Sequence, residues 1–312
     1  EFWVHITEGL RFLSQRGRGS MAERNAKLIL MVGVLGVSAS AILVRFSQAP
    51  SGVTAAYRLG WTVLLLLPVV LLRCRAELRR VTARDLVLCG ASGVLLALHF
   101  LTWFESLKRT SVASSTVLVS TEVIFTALGF ALFLHGKIPR LGVWAILLAF
   151  GGSALLALSG GGGAGELSGN LLALAAASAA AVYTLIGRVQ RGHLSTTVYT
   201  FLTYLACFLT LLLGTAAAGT PLTGYGGREW LIGLALAVLC TLLGHSLFSW
   251  CLKYLSPSYV SAAKLCEPVF SSLAAIPLFG EVPGPLQLAG GAAVLGAVLL
   301  YTWAEREKTP AG

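Results

Sequence analysis

The chain carries one pattern twice. Residues 105–125 read ESLKRTSVASSTVLVSTEVIF, and residues 250–270 read WCLKYLSPSYVSAAKLCEPVF. Leu107 and Lys108 fall on Leu252 and Lys253, Ser111 on Ser256, Glu122 on Glu267 and Phe125 on Phe270. All match at one offset of 145 residues (252 against 107, 267 against 122). Glu122 and Glu267 each stand where an apolar run is otherwise unbroken. A duplicated apolar unit with an acid at matching depth is the pattern of a membrane protein with its site at the bilayer midplane.

Composition fixes the solvent. Hydrophobic residues make up 56% of the 312, and only 12% are charged, against roughly 25% charged in soluble domains. So little charge cannot cover a water-facing surface, so membrane lipid must surround the chain. The net charge of +10 does not point to nucleic acid. The basic residues cluster in short loops between apolar runs, as membrane topology requires. The 35 glycines suit close helix packing in lipid. None of the six cysteines forms a CxxC pair, so they read as small apolar filler rather than as disulfides or zinc ligands. The histidines and carboxylates lack metal-ligand spacing, and no cofactor is predicted.

Apolar runs near 20 residues suit single helical crossings. Ten are predicted: 26–46, 52–72, 85–107, 111–133, 141–159, 168–188, 195–217, 229–253, 256–279 and 285–303. The expected fold is an all-α membrane protein with ten transmembrane helices in two inverted five-helix repeats. Inversion follows because an odd number of crossings turns the second copy upside down. The predicted organisation is an N-terminal extension or cloning remnant (1–25), repeats over 26–159 and 168–303, and a tail at 304–312. The glycine-rich stretch 159–169 reads as a linker. Most Lys and Arg residues, among them Arg24, Lys27, Arg73, Arg75, Arg79, Arg80, Arg84, Lys137 and Arg140, fall at one end of the spans. The positive-inside rule then puts both termini in the cytoplasm.

The candidate site residues are those that lipid would reject. An ionisable group at mid-membrane costs about 2.5–3.5 kcal/mol or more, so it faces a polar cavity or finds a partner. Lys264 precedes Glu267 by one helical turn, which allows an ion pair; that pair serves either substrate binding or helix register alone. Pro268 next to Glu267 removes a backbone donor and marks a break in the ninth span. Glu122 has no basic neighbour on its own helix. It is either a proton carrier or a protonated acid bonded to Ser120 or to a facing group. Arg58 either snorkels or anchors a carboxylate, from substrate or from Glu122. Arg45, at a span end, is expected to snorkel outward. His99 and His245 occupy similar places in the two halves and either relay protons or bond a hydroxyl. Trp103, Tyr183 and Phe248 lie inside their spans and are candidates for lining a pocket.

The segments AAYRLGWTVLLLLPVVLL (55–72), LHFLTWFESLKRTSVASSTVLVSTEVIFTALGF (98–130) and LGHSLFSWCLKYLSPSYVSAAKLCEPVFSSLAAIPLFGEVP (243–283) resemble the drug/metabolite transporter superfamily of EamA type. The resemblance runs over about 26–303. Its most specific part lies in the second half, through Glu267-Pro268 to Gly280-Glu281. His135-Gly136-Lys137 stands where that family has a Gly-Glu pair, and Glu122-Val123 replaces its Glu/Gln-Pro. The resemblance implies a ten-helix carrier with a central cavity between halves, moving small metabolites, often amino acids, out of bacteria. The expected function is therefore a secondary transporter of a small-molecule substrate, without enzymatic activity. The alternatives are a lipid flippase or structural membrane protein, and more remotely a membrane-embedded enzyme using His99 or His245. In this reading Glu122 is the group that protonates reversibly, and Glu267 is the charged, paired group near substrate.

Overall fold

The computed structural model describes residues 20–133, 138–159, 164–190, 192, 194–245, 247, 251, 263–264 and 266–306. Every regular element among them is helical. In chain order they are α1 (Ser20–Phe46), α2 (Ser51–Arg73), the short α3 (Arg75–Leu78), α4 (Ala83–Arg109), α5 (Val112–Val119), α6 (Glu122–Phe133), α7 (Arg140–Ser159), α8 (Ala164–Gln190), α9 (Thr196–Ala217), α10 (Gly227–Ala235), a π-helical segment (Leu236–His245), α11 (Cys266–Phe279) and α12 (Pro285–Arg306). Eight stretches are long and apolar enough to cross a membrane, with α5 and α6 together forming one and α10 with the π segment another. Two shorter apolar helices, Arg140–Leu156 and Cys266–Phe279, complete five in each half. The chain is a multi-pass integral membrane protein.

Local chemistry sets the helix ends. Thr82 caps α4 through a reciprocal box: its hydroxyl accepts from the Asp85 N–H, and the Asp85 carboxylate accepts from the Thr82 N–H at 3.0 Å. Ser111 and Ser195 cap α5 and α9 in a one-sided manner, each accepting an N–H three residues on. Gly280 ends α11 with a φ of 70° while its N–H bonds to the Ile276 carbonyl at 2.9 Å. That left-handed turn suits glycine and aims Glu281 back at the first repeat.

Packing follows the repeat. The first helix of each half packs on the third and fourth crossings of the other. Thus α8 lies against α4 and against α5 and α6, while α1 lies against the π segment and α11. The second crossings pair with each other, α2 on α9, and so do the fifth, α7 on α12. This exchange is what a pseudo-two-fold axis between two halves produces. At the α7–α12 crossing the backbones nearly touch. A Cβ placed on Gly152 would sit 2.9 Å from the Gly290 carbonyl oxygen, and one on Gly290 would sit 2.9 Å from that of Gly152. Small residues permit such contact in membranes, where backbone proximity replaces hydrophobic drive.

Two predicted spans differ from expectation. The run 111–133 is not one helix: a turn at Ser120 and Thr121 divides it into α5 and α6. Ser120 and Thr121 both donate their hydroxyls to carbonyls of the preceding turn, an alternative to the helical ladder that these residues offer. The run 229–253 passes from α into π geometry at Leu236, and the Thr241 hydroxyl bonds the Leu236 carbonyl five residues back at 3.3 Å. Such local widening is frequent at functional sites. Pro268 is buried in α11 beside Glu267, and residue 265, just before that helix, lies outside the described residues.

Candidate functional site

Arg58 is the centre of the site. It sits in the second turn of α2 with 2% of its surface exposed, so it does not snorkel. Its Nε donates to Thr241 Oγ1 at 2.9 Å and its Nη1 to Ser40 Oγ at 3.0 Å. The guanidinium carbon lies 4.5 Å from the centroid of the Phe100 ring, a cation–π contact. Helices α1, α2 and α4 and the π segment therefore meet at one charge. None of these bonds is to a carboxylate. Cys240, Tyr204, Cys207 and Glu267 make up its electrostatic surroundings. A buried cation held, among the described residues, by hydroxyls and a ring retains most of its desolvation cost.

His99 and Trp103 continue the cluster along α4. The His99 ring lies edge-on to Phe100 at 5.1 Å and stacks on Trp103 at 5.8 Å. His99 Nδ1 is 3.0 Å from the Ala176 carbonyl on α8. A carbonyl only accepts, so the proton is assigned to Nδ1, which leaves Nε2 to accept or to be protonated. Trp103 is buried, and its indole N–H meets no acceptor among the described residues. Such an orphan donor is rare in a native interior.

The two acids approach this cluster from opposite halves. Glu122 opens α6 just after the Ser120–Thr121 turn, and its Oε1 accepts from Thr184 Oγ1 on α8 at 2.8 Å. Its position in a first helical turn also puts the carboxylate at the positive end of the helix dipole. Glu267, half-buried, lies in the first turn of α11. The charges that act on it are Lys264 first, then Arg58 and Glu122. His99 in turn senses Glu122 and Arg58. The structure thus brings Arg58, His99, Glu122 and Glu267 into one electrostatic group. Lys264 lies at its exposed edge. Tyr183 packs between the central core and the apolar patch around Cys89 and Tyr199. His245 ends the π segment, with its side chain outside the described residues, and Phe248 lies outside them altogether. Among the described residues no three His, Cys, Asp or Glu side chains converge as metal ligands do.

Three partners escape the sequence reading: Ser40, Thr241 and Thr184. Hydroxyls cost little in a membrane helix and usually bond their own backbone, so they do not stand out from an apolar run as a charge does. Only the depth of Arg58, a charge that needs partners, points toward Ser40 and Thr241.

The EamA-like transporter family matches residues 25–158 and again 167–303. The two matches cover nearly the whole membrane region and divide it at the glycine-rich linker. The chain belongs to the EamA-like transporter family. The pseudopaline exporter CntI of Pseudomonas aeruginosa (strain UCBPP-PA14) is 24% identical over 207 residues, covering 66% of this chain and 72% of that one. A probable terminal-alkyne amino-acid exporter of Streptantibioticus cattleyicolor is 28% identical over 233 residues, covering 71% and 75%. A solved crystal structure of a protein superposes with a TM-score of 0.59 at 19% identity, covering 90% of this chain and 98% of that one. That likeness is one of fold. Membership in a transporter family implies a small-molecule substrate and makes the group around Arg58, at the meeting of the two EamA repeats, the candidate site.

Proposed function

We propose that this protein is an exporter of small carboxylate-bearing metabolites of amino-acid type, working by alternating access between its two repeats. The observation that carries the reading is the buried guanidinium of Arg58, bonded to Thr241, Ser40 and Phe100 and to no carboxylate among the described residues. Such a group is a preformed anchor for a carboxylate, whose two oxygens match the guanidinium fork. The unpaired indole N–H of Trp103 offers a further donor. Glu122 and Glu267 supply negative charge for the ammonium end of a zwitterion. Glu122, held by one hydroxyl, carries the coupling proton, relayed through His99. Lys264 is a cationic partner of Glu267. Tyr183, packed against the central core, shapes the path. The amino-acid exporter among the relatives fits this substrate class. Both termini lie on the cytoplasmic side of a bacterial inner membrane in this reading, which the positive-inside rule supports.

The test is flux in proteoliposomes loaded with radiolabelled amino acids, with and without an imposed pH gradient. Saturable export that Arg58→Gln removes is the expected result. Wild-type flux from that variant, or no flux for any carboxylate-bearing substrate, overturns the proposal.

A further inference from the structure

Away from the central group, the arginine-rich end of the molecule contains a cavity of about 550 Å³ between the end of α2, α3 and the start of α4. Arg73, Cys74, Glu77, Arg80, Thr82 and Asp85 all line it. Its two acids are already engaged within the chain. Glu77 Oε1 accepts from the Ser195 N–H at 2.6 Å, at the start of α9. Asp85 accepts from the Thr82 hydroxyl at 2.7 Å and N–H at 3.0 Å, and from Gln190 Nε2 at 3.1 Å. The two lining arginines have no comparable carboxylate bond among the described residues. Arg75, Arg79 and Arg84, all exposed, belong to the same stretch of chain. The cavity therefore offers guanidinium groups that no carboxylate among the described residues matches.

What lies beside the cavity narrows the ligand. Immediately before Arg73, Leu72 is 83% exposed; immediately after Asp85, Leu86 is 53% and Val87 70% exposed. Both flanking helices are membrane spans, so these side chains face acyl chains. Arginines thus adjoin exposed leucine and valine in sequence, on two spans that pack together. A soluble anion would use only the first of these features; a phospholipid uses both. We propose that this cavity binds the phosphate of an anionic phospholipid, with Arg73 and Arg80 on the headgroup and Leu72, Leu86 and Val87 along its acyl chains. The chemistry is that of paired arginines on phosphate, strengthened by the surface charge of an anionic leaflet. The site is independent of transport and of the substrate proposed above.

The full chain, purified in neutral detergent, is titrated with phosphatidylglycerol, with phosphatidylcholine and with inorganic phosphate while its melting temperature is followed. A ligand that binds the native state raises that temperature with concentration. Phosphatidylglycerol is expected to do so; phosphatidylcholine and inorganic phosphate are not. Each arginine removed weakens the apparent affinity about fivefold, so Arg73→Gln with Arg80→Gln shifts the titration by more than about tenfold. Arg140→Gln, an exposed arginine at the start of α7 outside the cavity, leaves it unchanged. Should the double variant fail to fold, retention of the lipid by Arg80→Gln in native mass spectrometry gives the same comparison. An unaltered titration in the cavity variants overturns the site. So does equal weakening by Arg140→Gln, which means diffuse charge, or an equal shift by inorganic phosphate, which means a soluble anion.

Discussion

Arg45, in the last turn of α1, meets Glu281, just beyond α11, with Nη2 2.7 Å from Oε1. The second oxygen of Glu281 accepts from the Val112 N–H at 2.7 Å, at the start of α5. Arg45 also donates to the carbonyls of Leu107 and Thr110, which close α4, and its guanidinium carbon lies 5.8 Å from the Phe279 ring centroid. The arginine expected to reach for water instead turns inward, because three acceptors and a ring converge where the chain leaves α1. One carboxylate from the second repeat thereby joins three helices of the first. Nearby, the buried Glu229 accepts from the Ser47 hydroxyl at 2.6 Å and the Gln48 N–H at 3.1 Å, which holds the α1–α2 turn from the other side. In the proposed alternating access the two repeats part at this end, and these bonds would oppose that opening.

Replacing Glu281 with Gln is expected to lower stability by about 1–2 kcal/mol, the scale of a charge-assisted bond that is partly exposed. The same change favours the form parted at this end. Thermal unfolding of Arg45→Gln, Glu281→Gln and the double variant closes a cycle. Strictly additive losses mean that the two side chains do not act on each other.

The sequence reveals the odd residues of this fold more readily than their partners. Arg58, His99, Glu122 and Glu267 are visible because a charge or an imidazole in an apolar run is costly, and the structure places them in one electrostatic group. Glu281 is visible only as part of a Gly-Glu pair; its bond to Arg45 spans 236 residues of chain, and nothing local encodes it. The break at Ser120–Thr121 is hidden because hydroxyl residues recur along α5, at Ser114, Ser115 and Thr116, without breaking it. The π segment is hidden for a related reason: a bond to the fifth residue back needs the same side chains as one to the fourth.

Arg58→Gln is expected to abolish transport, by about thirtyfold or more, since removing one partner of a buried charge pair costs about 2–5 kcal/mol. The apo protein should lose less than about 1 kcal/mol, or gain stability, because an unmatched buried cation is itself a burden. Arg58→Lys keeps the charge but not the fork and should fall between. Melting curves alongside flux separate the two roles. A purely structural arginine predicts parallel loss of both.

Gly290→Leu is expected to destabilise by about 1–3 kcal/mol, since the added atoms meet the Gly152 carbonyl and the α7 backbone. Gly296, on the same helix, has open space for 4 Å around the point where a Cβ would stand. There Gly→Ala should be neutral or stabilising by roughly 0.5–1 kcal/mol. Unfolding of both variants in a mixed detergent measures the difference. Equal effects at the two positions argue against a close α7–α12 crossing.

The two glutamates should respond differently to neutralisation. Glu122 is held by the single hydroxyl of Thr184, whereas Glu267 lies in the field of Lys264 and Arg58. Glu122→Gln keeps a hydrogen-bonding group for Thr184 but cannot carry a proton, so it should remove the response of export to an imposed pH gradient while leaving exchange of substrate without a gradient. Glu267→Gln removes the acid beside two cations and should weaken substrate binding with or without a gradient, by about tenfold for a charge-assisted bond. Exchange and gradient-driven flux, measured for both variants across pH, distinguish the roles. Identical pH profiles for the two variants make the acids equivalent, as the repeat alone implies, and end the assignment of separate tasks.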